Sequence, residues 1–117
     1  FALSCRPVPN KGLGVFADEP IPAGAVVESC PVLVIDSAEA DQFAESRSLS
    51  DYLWQWENDG LALALGYGSV YNHTDAPNLE EERNYRQKAM VFRASRDIQP
   101  GEELTVRYRV VWFTVHP

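Results

Sequence analysis

The chain has 117 residues, 45% of them hydrophobic and 23% charged. That composition fits one domain with its own core, 1–117, and excludes a disordered chain. No apolar run approaches the length of a membrane span, no signal-peptide pattern opens the chain, and the net charge of −7 leaves nucleic acid and membrane out of the expected partners while favouring cationic ones.

In chain order, the first signal is Lys11-Gly12-Leu13-Gly14-Val15-Phe16-Ala17. Two glycines one residue apart let a backbone come close to a ligand, and they also suit a plain tight turn. The third glycine of a dinucleotide fingerprint is missing. Residues 17 to 28, Ala-Asp-Glu-Pro-Ile-Pro-Ala-Gly-Ala-Val-Val-Glu, align without gaps on residues 94 to 105, Ala-Ser-Arg-Asp-Ile-Gln-Pro-Gly-Glu-Glu-Leu-Thr. Each copy reads as strand, Pro/Gly turn, strand. Two hairpins of one design predict small sheets folded against each other rather than one long sheet.

Residues 36 to 46 predict a short helix, with Asp36 as cap and Glu39 three residues on, as in a capping box. Residues 52 to 65 predict a hairpin around Asn58-Asp59-Gly60, with Leu61, Leu63 and Leu65 alternating against Ala62 and Ala64. Seven acids (Asp36, Glu39, Asp41, Glu45, Asp51, Glu57, Asp59) face one base, Arg47, over residues 36 to 59. That segment is either a solvated face or a docking face for a Lys/Arg-rich substrate. Residues 88 to 95 predict a further strand. The whole is mainly β, with one or two short helices.

Residues 66 to 80, Gly-Tyr-Gly-Ser-Val-Tyr-Asn-His-Thr-Asp-Ala-Pro-Asn-Leu-Glu, are dense in polar turn formers around an apolar Val70-Tyr71. Asn72-His73 offers donors and acceptors suited to a polar ligand. A triad of Ser69, His73 and Asp75 lacks a nucleophile elbow. Glu102 and Glu103 are strand neighbours facing opposite sides, so they cannot flank one glycosidic bond. Cys5 and Cys30 form no Cys-x-x-Cys, and with His73 and His116 they match no zinc spacing, so no metal is expected and both thiols should be reduced.

Taken in order, the Gly-x-Gly segment with residues 21 to 28, the run Gly68 to Leu79, and residues 93 to 108 resemble the SET domain of protein lysine methyltransferases. The family's Asn-His-Ser-Cys-x-Pro-Asn pattern stands here as Asn72-His73-Thr74-Asp75-Ala76-Pro77-Asn78. Its Gly-Glu-Glu-Leu-Thr-x-x-Tyr pattern is complete from Gly101 to Tyr108.

The resemblance implies a β-clip of several small sheets with a knot-like C-terminal crossing, residues 36–59 being the variable acidic insert. It implies transfer of a methyl group from S-adenosylmethionine to a lysine of a basic protein, histone-like or ribosomal. Tyr108 would be catalytic. Lys11, Gly12, Leu13, Gly14, Asn72, His73 and Trp112 would hold S-adenosylmethionine, Tyr71 and Phe113 would meet substrate, and Glu102 and Glu103 would be structural. Asp75 stands where the family often has a zinc-binding cysteine, which implies a zinc-free form, as in bacterial and viral members. Ser69 replaces a frequent arginine, and Arg109 a frequent glycine. Closing the lysine channel then falls to C-terminal residues, an extension or a second subunit, so a homodimer is among the expected partners. The location expected is cytoplasmic, or nuclear in a eukaryote. The competing reading is a SET-like binding module that has lost catalysis.

Overall fold

The computed structural model describes residues 1–46 and 48–107. Among the described residues, nine strands form two sheets. The first sheet contains β1 (Leu3–Val8), β2 (Gly12–Ala17), β9 (Glu103–Val106) and β6 (Asn72–His73), in that order. The second runs β4 (Leu53–Gln55), β5 (Leu61–Ala64), β3 (Val26–Ile35), β8 (Ala89–Ala94) and β7 (Leu79–Asn84). One helix, α1 (Ser37–Ala44), and a 3-10 turn at Ser50–Tyr52 lie between β3 and β4. One cluster of buried side chains joins the two sheets. In it Phe92 packs between Trp54 and Tyr71, with ring centroids 5.7 and 5.0 Å away, and Val15, Leu104 and Val106 come from the first sheet.

The two aligned segments do not form the expected hairpins. β2 pairs with β1 and β9, while β3 pairs with β5 and β8. Each copy instead carries the chain from one sheet to the other, and the two copies bond to each other. Ile21 and Ile98 exchange both backbone hydrogen bonds, at 2.9 and 2.8 Å. Around them the contacts repeat with the copies exchanged. Gly24 N–H donates to Ala94 O and Gly101 N–H to Ala17 O, at 2.7 and 2.8 Å, and Ala94 and Ala17 donate back to Ala25 and Glu102. Gly24 and Gly101 have φ of 84° and 89°, a region that disfavours any side chain, so the same glycine recurs in both copies. A turn signal reads the same whether the chain folds back or crosses over, hence the difference.

The acidic segment folds largely as expected. The hairpin turns at Asn58 and Asp59, both left-handed, with Gly60 N–H on Glu57 O at 3.1 Å. The alternation in β5 is real, but it is Ala62 and Ala64 that face the main core. The small residues leave room there for Trp54 and Phe92, while Leu61 and Leu63 pack with Ala40 and Phe43 of α1. Asp36 caps α1 through its backbone oxygen only, and its carboxylate makes no capping bond, so the capping box does not form.

Pro31 sits where β3 changes partner, from β8 to β5, so its missing N–H costs little. Next to it, Cys30 is buried, whereas Cys5 is exposed on β1. Burial first, and Glu28 second, push the Cys30 thiol up to about 12. Against an ordinary value of 9.0, that is about a thousandfold less thiolate. Iodoacetamide at pH 8 is therefore expected to label Cys5 and spare Cys30, as read by peptide mass spectrometry. Equal labelling would contradict the packing around β3.

Candidate active site

Three segments distant in sequence meet at one edge of the first sheet. β6 lies parallel to β9, Asn72 opposite Thr105 and His73 opposite Val106. Parallel neighbours need a long connection, and here it runs through β7 and β8 and the second copy of the repeat. Beside β9 lies β2, with Val15 opposite Leu104.

Asn72 ties the three together. Its side-chain N–H₂ donates to Leu13 O at 3.0 Å and to Glu103 Oε2 at 2.6 Å. Gly14 explains why the approach is so close. A Cβ there would stand 2.5 Å from Val8 Cγ2, 2.7 Å from Glu103 Oε2 and 3.2 Å from Asn72 Nδ2. Only glycine fits. Gly12 is open instead, with nothing within 4 Å of where a Cβ would stand, and Leu13 is 54% exposed. Lys11 is exposed in the β1–β2 turn.

A second asparagine fastens β9 from the other side. Asn78 is buried; it donates to Glu103 O at 2.9 Å and accepts from Thr105 N–H at 2.8 Å. Its side chain thus takes the place of one more strand. His73 approaches Asp75, Nε2 to Oδ1 at 3.7 Å, and Arg107 Nη2 donates to Asp75 O at 3.0 Å. The two glutamates separate as expected of strand neighbours. Glu103 serves Asn72, while Glu102 accepts from Gln99 N–H and pairs with Arg96 at 3.1 Å. The Gln99 bond, then Arg96, hold the Glu102 carboxyl below its ordinary range.

Tyr71 departs from the expected substrate contact. Its ring is fully buried against Phe92, and its hydroxyl donates to Glu28 Oε1 at 2.5 Å. Burial, then the Glu28 charge, push the phenol far up from its ordinary value. The other Glu28 oxygen accepts from Tyr67 N–H at 3.0 Å. One carboxylate of β3 therefore holds both ends of the loop that delivers Asn72. Ser69, in the place of the arginine, is also buried and accepts from Ala64 N–H at 2.9 Å. Sequence reasoning missed Glu28 and gave Asn78 no role. Asn78 was visible as the last letter of its motif, whereas nothing local marks Glu28. Tyr108, Trp112 and Phe113 lie outside the described residues.

The SET domain family profile matches residues 12–109. The chain belongs to the SET-domain family. It is a protein-lysine N-methyltransferase by that membership. The domain is similar to the histone-lysine N-methyltransferase, H3 lysine-37 specific, of Schizosaccharomyces pombe, at 37% identity over 95% of this chain and 76% of the relative. It is also similar to the histone-lysine N-methyltransferase set5 of the same yeast, at 24% identity over 87% of this chain, but it spans only 40% of that relative. Among solved structures it superposes on a Plasmodium falciparum protein provisionally assigned as a histone methyltransferase, with TM-score 0.72, 33% identity and 91% of each chain covered. A chain of ctPRC2, solved with H3K27me3 and H3K27M, shares the fold at TM-score 0.75 and 24% identity; this domain covers 14% of that chain.

The residues around Asn72 suit S-adenosylmethionine, on which SET methyltransferases generally depend. The Asn72 bonds to Leu13 and Glu103 use its N–H₂ group and leave the amide oxygen to accept from a ligand ammonium. Glu103 beside it adds negative charge, and the open backbone at Gly12 and Leu13 can be approached closely.

Proposed function

We propose that this SET domain methylates a lysine of a histone-class basic protein in the nucleus, using S-adenosylmethionine held by Asn72, His73 and the backbone of residues 11 to 14, with Trp112 beside it. The observation that carries this reading is the Asn72 bridge, which joins the Gly-x-Gly strand at Leu13 to β9 at Glu103, five residues before Tyr108 in the chain. The relatives named for histone lysines support the substrate class, and the acidic insert at 36–59 supports a basic one.

S-adenosylmethionine, when bound, supplies an electrophilic methyl group on a positively charged sulfur. The acceptor lysine must be neutral, and an ordinary lysine has a pKa of about 10.4, so at pH 7 only about one in 2,500 is neutral, a cost of roughly 4.6 kcal/mol. A narrow, dry channel lowers that cost by disfavouring the ammonium. Phe113 is the residue assigned to its wall. Tyr108 aligns the reacting groups and offers its hydroxyl oxygen to the methyl hydrogens. Proton loss to water before docking removes the need for a dedicated base.

The test of the cofactor site is a calorimetric titration of S-adenosylmethionine into the wild-type domain and Asn72→Ala. We expect the wild type to bind and the variant to lose at least tenfold in affinity. Wild-type affinity in Asn72→Ala would overturn the assignment of this site.

A further inference from the structure

A recess lies at the far end of the five-stranded sheet, away from Asn72. It is a cavity of about 190 Å³ lined by Val34, Asp36, Trp56, Glu57, Tyr85 and Lys88, among others. β3 and α1, the β4–β5 turn and the β7–β8 turn each contribute to it. Trp56 and Tyr85 meet edge to face, ring centroids 4.8 Å apart and planes at 72°. Trp56 is packed into the core, but Tyr85 is 42% exposed. The two carboxylates come from the acidic insert. That of Asp36 makes no bond to the helix it caps, although an aspartate there usually does.

An aromatic pair beside two carboxylates is the chemistry that takes up a cation. Lys88 and the start of α1 oppose this with positive charge, and Asp36 and Glu57 together outweigh the lysine. A planar guanidinium can lie on an aromatic face and present a fork of donors to a carboxylate, which an ammonium cannot do. We infer that this recess binds an arginine of the polypeptide substrate, outside the reacting lysine. This rests on the methyltransferase reading only for what the arginine belongs to.

The spacing sets the register. Asn78 and the edge of the active site adjoin the Leu79–Ala94 end of β7 and β8, and the recess lies at the other end of these six-residue strands. At about 3.4 Å per residue that is about 20 Å. An extended tail covers it in roughly six residues, so the arginine should lie about six to eight residues from the target lysine.

The test uses the whole chain, isotope-labelled, and proton–nitrogen correlation spectra. Acetyl-Gly-Arg-Gly-amide is expected to shift the signals of Trp56, Asn58, Gly60 and Tyr85, with the citrulline peptide leaving them in place. The double variant Tyr85→Ala, Glu57→Gln changes only exposed side chains, and it should reduce those shifts at least fivefold. Its KM for a long basic substrate should rise about five- to tenfold, with kcat unchanged. Shifts elsewhere, or equal shifts with citrulline, would overturn the site; equal shifts with acetyl-Gly-Lys-Gly-amide would overturn its assignment to arginine. Because binding is read without turnover, these results stand apart from whether the domain methylates.

Discussion

Asn78→Ala should destabilise the domain by about 2–4 kcal/mol and remove most of its activity. The Asn78 side chain is the partner of two backbone groups of β9, Glu103 O and Thr105 N–H. Truncation leaves both without that partner in a buried place, at about 1–3 kcal/mol each, partly relieved if water enters. The same bonds tie β9 to the segment that enters β7, so the strand that leads to Tyr108 loses its brace. Asn78→Asp is a sharper variant. It still accepts from Thr105 but sets a carboxylate against the Glu103 carbonyl, and it should cost at least as much. Urea unfolding followed by tryptophan fluorescence measures both. A loss below about 1 kcal/mol in Asn78→Ala would show that β9 is held by other means.

The second large effect is expected from Tyr108→Phe, with kcat lowered about 10²–10³-fold and S-adenosylmethionine affinity within a few-fold of wild type. The hydroxyl is assigned only to the reacting groups, and loss of one such preorganised polar contact typically costs this much in rate. The ring remains, so the walls of the site should hold their shape. A parallel fall in affinity would move Tyr108 from catalysis to binding. Full turnover would remove it from the mechanism.

The strands that carry the SET motifs were legible because those motifs are contiguous. The Asn-His run becomes β6, and Gly101 to Val106 leads into and through β9. The pairing of the two could not be read from periodicity, because parallel strands joined through residues 74 to 102 leave no local trace. The family resemblance supplied it. The crossovers were mistaken for hairpins because Pro and Gly fix a turn without saying which strands will pair. β7 escaped notice for a different reason. Its sequence, Leu-Glu-Glu-Glu-Arg-Asn, has no apolar alternation, since on this edge strand Glu80 and Glu82 face solvent, Glu82 pairing with Arg93, while the half-buried face is filled by Glu81 and by Arg83, which donates to Gln55 O. Tyr71 was read as a substrate contact because a tyrosine beside a binding motif looks the same whether its hydroxyl meets a ligand or, as here, a carboxylate. Only the fold reveals that Glu28, 43 positions earlier, is the partner.

The central claim is that residues 11 to 14, Asn72-His73 and Tyr108 serve one methyl-transfer centre acting on lysine. Incubating the domain with histone H3 and methyl-labelled S-adenosylmethionine, then mapping the label by mass spectrometry, tests it most directly. We predict label on a lysine side chain with the wild-type domain and at most about one hundredth of that initial rate with Tyr108→Phe. A domain that binds S-adenosylmethionine but labels neither histone H3 nor any other basic protein would contradict the account.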